Sequence, residues 1–414
     1  MQVSQAVVLC GGRGERLRPL TDNKPKPMVE LNGRPFLHYL LEQLAENGIK
    51  SFVLLTGYLG EKIVEYFGDG SSWGWSITYS HGPVEWLTAR RVFAAIDQID
   101  QQFLLLYSDN FAQLHLNKMI QICSENQSAI TLSVVNKTPG NVQIGSNSSV
   151  VKYDPSRSDR GTDFVEIGYS LVVKSKILTH LEKYESESFS SVIRSLTEAN
   201  QVSAVIVKSG YQSVSDPSRL AMTAAYLRHH RILLLDRDGI LNVKPRPGEY
   251  VNSVDEFEWI ESSREALKIL GERGFSFIII SNQAGVATGA TTLENLNKID
   301  EYVRSEFLNL GLRLLEIYVC TDHWSSQSQF RKPNPGMFFT AASDHNFRLD
   351  HSIYIGDDER DALAAENAGC KCVLLAPEQF DAQSDTSVVS IGQSFIDLVP
   401  TIIDRYETWE KLNS

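Results

Sequence analysis

Short runs of branched apolar residues recur along the whole of this 414-residue chain, each followed by an amphipathic stretch. No other feature of the sequence restricts the fold as strongly. The apolar runs are too short for buried helices and read as strands, at 5–9, 51–55, 103–107, 131–135, 203–207, 231–235, 275–280, 315–319, 352–355 and 372–375. Between them the spacing turns helical, at 35–47, 61–67, 114–124, 217–228, 262–273, 293–309 and 359–368. Strands alternating with helices favour parallel sheets covered by helices, so the expected fold class is α/β. At roughly 100–200 residues per domain, the length allows two or three domains. The sharpest break lies near 229, where AMTAAYLRHH gives way to the strand-and-loop unit RILLLDRDGILN. Domains are therefore expected at 1–228 and 229–414, with polar loops at 138–163, 322–336 and 376–388.

Acidic residues outnumber basic ones by 51 to 39, a net charge of −12. That balance argues against a nucleic-acid partner, whose backbone phosphates must be neutralised by Lys and Arg. It leaves room for small phosphorylated ligands, which need only a few well-placed cations. No apolar run reaches the length of a membrane span, about eighteen residues. The opening MQVSQAVVLCGG lacks the basic region of a signal peptide. Cys10, Cys123, Cys320, Cys370 and Cys372 form an odd, sparse set, which reads as reduced thiols of a cytoplasmic protein without a membrane partner. Cys370 and Cys372 read as small residues of one buried strand. Nothing in the sequence bears on the oligomeric state.

The segment LLLDRDGILN (233–242) carries the most chemistry. An apolar strand runs into Asp236 and Asp238, and period-two alternation lets both carboxylates face the same way at its end. Open parallel sheets bind ligands at that edge. Carboxylates this close repel unless a cation sits between them, and Mg2+ suits carboxylates together with phosphate oxygens. Asp236 can then attack phosphorus, and Asp238 can protonate the leaving alcohol and later activate water. FIIISNQAG (277–285) ends in Ser281 and Asn282, polar groups suited to a phosphate oxygen. FRKPNPGM (330–337) supplies Lys332, a point charge for the phosphate or the nucleophile. SIYIGDDERD (352–361) releases Asp357, which would complete a metal site with Asp236 and Asp238, and Asp358, whose ordinary role is a helix N-cap.

Taken singly, each segment has a bland explanation as a solvated turn or a surface lysine. In this order they resemble the haloacid dehalogenase (HAD)-like phosphohydrolases. DRDGILN, SNQAGVATG, RKPNPGM and GDDERDALAAENAG, with the loop GEYVNSVDEFEWI (248–260), resemble the branch holding heptose 1,7-bisphosphate and histidinol-phosphate phosphatases. The resemblance implies a HAD-like Rossmannoid fold, Mg2+, and Arg331 beside Lys332 as a substrate-binding residue. The gaps between motifs leave room for only a minimal cap. Relatives often carry a Cys-x-His and Cys-x-Cys zinc site. Here Cys320 is followed by Asp322 and His323, and the downstream pair is Ser328 and Phe330, so no structural zinc is expected.

At the other end, VVLCGGRGERLRPLTDNKPKPMVELNGRPFL (7–37) is a strand that breaks at Gly11, Gly12 and Gly14, followed by Arg16, Arg18, Lys24 and Lys26. Glycines let backbone N–H groups approach a phosphate. GGRGERLRPLT…KPKPM resembles the sugar-1-phosphate nucleotidyltransferases, which join a sugar 1-phosphate to a nucleoside triphosphate and release pyrophosphate. The resemblance implies a Rossmann-like (GT-A-like) fold. Gly11, Gly12, Gly14 and Arg16 would hold the triphosphate and Lys26 the reacting phosphates. Asp109 of FLLLYSDN (103–110) would bind Mg2+ and substrate, and VEIGYSLV (165–172) would contact the sugar. Three departures stand out. PVEWLTARRVF (83–93) carries Leu87, Arg90 and Arg91 where small residues are usual, KYDPSR (152–157) replaces Glu-Lys-Pro, and Ser213 stands where a second metal-binding aspartate is usual, with Asp216 out of register.

The expected function is a bifunctional enzyme of nucleotide-activated sugar synthesis, with small-molecule sugar phosphates and nucleoside triphosphates as partners. The second domain would hydrolyse a sugar bisphosphate through an aspartyl-phosphate, with heptose 1,7-bisphosphate giving heptose 1-phosphate as the expected case, and the first would couple the sugar 1-phosphate to a nucleotide. The alternative keeps the phosphatase, acting on histidinol phosphate or another small phosphomonoester, beside a first domain that only binds a nucleotide or sugar nucleotide.

Overall fold

Apolar runs become strands in the computed structural model, which describes residues 3–158, 161–375 and 387–413. The chain divides into two units, Met1–Ala225 and Tyr226–Ser414. The first holds a nine-stranded sheet built from β1 (Gln5–Cys10), β2 (Ser51–Thr56), β3 (Ser76–His81), β4 (Gln102–Tyr107), β5 (Ile130–Asn136), β6 (Val142–Ile144), β7 (Val150–Tyr153), β8 (Phe164–Val173) and β9 (Val202–Ile206). β1 lies between β2 and β4 and runs parallel to both, with β3 beyond β2. β8 pairs antiparallel with β4, β5 and β6. Val7, Leu9, Val53, Leu55, Phe103 and Leu105 enter one core, while the alternating Ala6, Val8, Phe52, Leu54, Leu104 and Leu106 are buried on the other face. Two covered faces explain why these strands read as unbroken apolar runs.

The second unit is a six-stranded parallel sheet of β10 (Ile232–Leu235), β11 (Ser276–Asn282), β12 (Arg313–Cys320), β13 (Ile353–Gly356), β14 (Lys371–Leu375) and β15 (Val388–Gly392). Their spatial order is β12-β11-β10-β13-β14-β15. The order reverses between β10 and β13, and the crevice beyond those carboxyl ends is where such sheets bind ligands. The β1–β4 junction of the first unit is the corresponding place. Leu233, Leu235, Phe277, Ile279, Ile353 and Ile355 fill the core on one face, and Ile232, Leu234, Ile278, Ile280 and Tyr354 the core on the other.

The structure departs from the sequence-based expectation where only one side of an element is buried. β3 (SITYSH) and β7 (VVKY) interleave exposed and buried residues, so neither shows an apolar run. β6 and β7 occupy the expected loop at 138–163. Helices at Thr88–Ala94, Lys174–Lys183, Phe189–Glu198, Gly336–His345 and Phe395–Asn413 add to those expected. The expected loop at 376–388 lies outside the described residues over 376–386. All five cysteines are free and buried; Cys372 sits in β14, whereas Cys370, expected in the same strand, lies just before it. Among the described residues no helix is long and apolar enough to cross a membrane.

A buried histidine of the first unit links its stability to pH. His38, in the helix Phe36–Glu46, is enclosed by Tyr66, Phe67, Trp73 and Trp75. Burial, helped by the charge of Arg34, pushes its pKa down from 6.5 to about 3. The unfolded chain therefore takes up the proton first. The stability that neutral His38 contributes is full above about pH 6.5 and is lost as pH falls toward about 3. We expect His38→Phe to flatten the acid-side fall in the unfolding free energy of the first unit, followed by urea unfolding between pH 7 and 4. An unaltered slope would contradict this.

Candidate active sites

β10 and β13 pair in register, Leu235 opposite Ile355, so both leave the sheet together. The Asp236 N–H donates to the Ile355 carbonyl at 2.9 Å. Below the crevice, Lys332 Nζ lies 2.9 Å from Asp236 Oδ1 and 2.9 Å from Asp361 Oδ1. It also donates to Tyr354 Oη at 2.5 Å. The Lys332 backbone is clamped by Asn282, whose Oδ1 accepts its N–H at 3.0 Å and whose Nδ2 donates to its carbonyl at 3.1 Å. Asp361 is the third residue of the helix Glu359–Ala368, and its Oδ2 accepts the N–H groups of Asp357 and Asp358. Asp358 accepts the Arg360 N–H in return, a capping box. Two glycines make the approach possible. A Cβ on Gly356 would overlap Asp361, and a Cβ on Gly239, which has φ of +90°, would overlap Asp357 Oδ2.

Asp238 points elsewhere. Its carboxylate takes Arg237 Nε at 3.1 Å and Nη2 at 3.2 Å. Gln283 Nε2 donates to Asp238 Oδ2 at 2.7 Å and to Ser281 Oγ at 2.9 Å, linking these two residues. Arg331 donates to the Asp322 carbonyl at 3.3 Å. The structure thus gathers Asp236, Lys332 and Asp357 at one point, places Asp238 and Ser281 beside Gln283, and uses Asn282 to hold Lys332.

Burial pushes the Asp236 carboxyl up to about 7, with Lys332 opposing the rise. Burial works against the Lys332 charge, but Asp236 and Asp361 more than reverse this and hold its pKa above the ordinary lysine range. Asp238 is also raised by burial, yet Arg237 and the Gln283 amide hold it below the usual carboxylate range. Oxygens of Asp236, Asp357 and Asp361 lie within 4.8 Å of one another. Both Asp361 oxygens are engaged, by Lys332 and by backbone N–H groups. Asp236 Oδ1 takes Lys332 and the Arg237 N–H. Its Oδ2 takes no hydrogen bond among the described residues. Asp357 is met by Lys244 Nζ at 2.8 Å. Hard oxygen donors on Asp236 and Asp357, facing one crevice and drawing cations to themselves, fit Mg2+.

The first unit repeats the arrangement with different groups. Leu9 of β1 lies opposite Tyr107 of β4. The glycine loop that follows β1 bends through Gly14 at φ of +65°, where a Cβ would come within 2.7 Å of Lys26 Cβ. Lys26 Nζ reaches Asp109 Oδ2 at 2.8 Å, joining the loop to the end of β4. Gly12 and Arg16 are exposed beside it, and Gly11 is buried. Asn110–Phe111 pairs with Gln212–Ser213, which puts Ser213 beside Asp109. Arg219 Nη1 donates to the Ser213 hydroxyl at 3.0 Å. Where a second acid is usual, a hydroxyl engaged by a guanidinium therefore stands. Glu166 of β8 receives the Gly168 N–H at 2.9 Å and the Tyr153 hydroxyl at 3.4 Å. Burial pushes its carboxyl up to about 7, and the charge of Asp109 adds to the rise.

Sequence reasoning missed Asp361, Tyr354, Gln283, Lys244 and Glu166 as members of these sites. The spacing Asp358-x-x-Asp361 was an available signal, since it is that of a capping box. Glu166 lies in the segment 165–172 expected to contact the sugar, whereas Tyr354, Gln283 and Lys244 meet Lys332, Asp238 and Asp357 only through the fold.

Comparison with known proteins finds a different family for each unit. A family model described as nucleotidyl transferase matches residues 5–211, and one described as polynucleotide kinase 3 phosphatase matches residues 231–373. A D-glycero-beta-D-manno-heptose-1,7-bisphosphate 7-phosphatase of Haemophilus ducreyi is 32% identical over 181 residues, 42% of this chain and 98% of that protein. A probable glucose-1-phosphate cytidylyltransferase of Bacillus subtilis is 36% identical over 154 residues, 32% of this chain and 61% of that protein. A UTP–glucose-1-phosphate uridylyltransferase of Haloferax volcanii is 38% identical over 117 residues, 28% of this chain and 48% of that protein. The chain thus spans under two thirds of the length of both nucleotidyltransferases and nearly all of the phosphatase.

Replacing Lys332 by Met leaves Asp236 and Asp361 buried without their shared cation. We expect the second unit to lose about 3–5 kcal/mol of stability, and Asp236→Asn added to Lys332→Met to restore part of it. Urea unfolding checks this, and an unmoved midpoint for Lys332→Met would contradict the network.

Proposed function

We propose, for a chain that belongs to the nucleotidyl transferase family through its first half and to the family of the heptose-bisphosphate phosphatases through its second, that it makes a nucleotide-activated sugar in two steps. The second unit removes one phosphate from a sugar bisphosphate, and the first couples the resulting sugar 1-phosphate to a nucleotide. Heptose 1,7-bisphosphate is the proposed substrate. Its support is the Haemophilus ducreyi relative, matched over 98% of its length. The two nucleotidyltransferase relatives differ in their nucleotide, so the second substrate is proposed as a nucleoside triphosphate of unspecified base.

The observation that carries the phosphatase reading is the division of labour on Asp236, with Oδ1 held by Lys332 and the Arg237 N–H and Oδ2 taking no hydrogen bond among the described residues. Oδ2 attacks the phosphorus of the ester. A bond forms between Asp236 and phosphorus while the bond to the sugar oxygen breaks. Water then releases phosphate and restores the carboxylate. Asp238 gives a proton to the sugar oxygen as that bond breaks, and the carboxylate so formed, stabilised by Arg237, takes a proton back from the attacking water in the second step. Lys332 limits the charge gathered on Asp236, and Ser281 offers its hydroxyl to a phosphate oxygen. Asp236 and Asp357 would hold Mg2+, which supplies positive charge to the transferring phosphoryl group.

In the first unit the work is positioning and charge neutralisation, as for any phosphoryl displacement. The glycine loop would cradle the triphosphate, Arg16 would meet it from solvent, and Lys26 and Asp109 would face the reacting phosphates. Ser213, bonded to Arg219, favours a second reading for this unit alone, in which it binds nucleotide without turnover. Two single variants separate the steps. Asp236→Asn is expected to abolish phosphate release while sugar 1-phosphate still yields pyrophosphate, and Asp109→Asn to do the reverse. Phosphate release surviving Asp236→Asn would refute the nucleophile. Absence of pyrophosphate from the unmodified protein with every nucleoside triphosphate and sugar 1-phosphate tried would leave the binding reading.

A further inference from the structure

We propose that Arg91 is a positioning residue of the nucleotide site, a buried guanidinium that ties the glycine loop to the two neighbouring strand ends and sets a fixed positive charge beneath it. The inference rests on the nucleotidyltransferase reading of the first unit.

Arg91 lies in the 83–93 segment, one of the departures noted in the sequence. Its neighbour Arg90 behaves as a surface residue, pairing with Glu185 at 2.6 Å and lying over the Trp86 ring. Arg91 is 5% exposed. No carboxylate lies within ion-pair distance of it among the described residues. Its donors are satisfied by main-chain carbonyls instead. Nη1 donates to Thr56 at 2.7 Å and to Gly82 at 3.5 Å, Nη2 to Pro83 at 2.7 Å, and Nε to Trp86 at 3.2 Å. Thr56 ends β2, and Gly82 follows directly after β3. The guanidinium also lies against Gly11, where a Cβ would overlap it, and a Cβ on Gly57 would come 2.8 Å from Nη2. One side chain therefore bonds the ends of β2 and β3 to each other and packs against Gly11 at the start of the glycine loop.

Two physical consequences follow. Removing the guanidinium takes away the donors that join these carbonyls to one another; Thr56 and Pro83 each keep one backbone N–H, from Gly82 and Trp86, but the bridge between the two strand ends beside Gly11 is lost. Carbonyl dipoles also solvate the cation without cancelling its charge, whereas a carboxylate would neutralise it. A net positive charge therefore stays in a poorly screened place next to the backbone proposed to hold a triphosphate. Lys cannot replace it, because one ammonium cannot span acceptors spread over three loops.

The test uses the full-length chain and measures binding of ATP, CTP, GTP and UTP by calorimetry, with KM and kcat for pyrophosphate release where turnover occurs. Arg91→Gln keeps an amide donor pair without the charge, and Arg91→Lys keeps the charge without the fork. Circular dichroism and the thermal unfolding profile select variants whose first unit remains folded. We expect a folded Arg91→Gln to bind the preferred nucleotide about tenfold to a hundredfold more weakly, with a smaller dependence on salt and an unaltered KM for sugar 1-phosphate. Arg91→Lys is expected to retain the salt dependence but not the full affinity. Equal or tighter nucleotide binding by Arg91→Gln, with wild-type binding intact, would overturn the inference alone. A wild-type protein that binds none of the four nucleotides would overturn the nucleotidyltransferase reading and this inference with it.

Discussion

A single ammonium group, that of Lys332, sits between two carboxylates in a place almost without water. Much of the second unit is arranged to keep it there. Burying three charges is costly unless each is partnered. The partners arrive from four segments of the chain. Asp236 follows β10, Asn282 ends β11, Tyr354 lies in β13, and Asp361 belongs to the helix after β13. Each contact requires the parallel sheet to hold its register. The same network engages one Asp236 oxygen and leaves the other without a hydrogen bond among the described residues, the division that the proposed nucleophile would need.

The two units meet a common problem with one topological device. In each sheet the strand order reverses beside the first strand, and the loops on either side diverge to leave a crevice. The second unit fills its crevice with carboxylates and a buried lysine. The first fills its own with a glycine loop, one lysine–aspartate pair and, behind them, a guanidinium held by carbonyls. These are different solutions to handling phosphate. Under the proposed function, the first of these would make and break a bond to a side chain, and the second would position a polyphosphate and neutralise it.

Much of this was legible in the sequence. The apolar strands of both sheet centres were visible because both of their faces are buried, but period-two alternation put Asp236 and Asp238 on one side, whereas Arg237 and Gln283 turn Asp238 away from Asp236. Strands with one open face, such as Ser76–His81, were hidden by their polar residues. The helix Phe395–Asn413 was missed although its Phe395, Leu398 and Ile402 are fully packed. Within the sites, Asp236 and Lys332 stood out because their segments are distinctive. Gln283 and Tyr354 did not, since a glutamine or a tyrosine in an apolar segment acquires a role only from what the fold brings against it. Arg91 was visible as an anomaly, but its carbonyl cage required the three-dimensional arrangement.

The central claim is that one chain carries two sites whose chemistries follow one another. The most direct test supplies the intact protein with heptose 1,7-bisphosphate, Mg2+ and one nucleoside triphosphate at a time, and follows all products by mass spectrometry. The account predicts phosphate, pyrophosphate and a nucleotide-linked heptose carrying no 7-phosphate, with at least one nucleotide. Persistence of the bisphosphate, or release of phosphate with no nucleotide-linked heptose from any nucleotide, would contradict it.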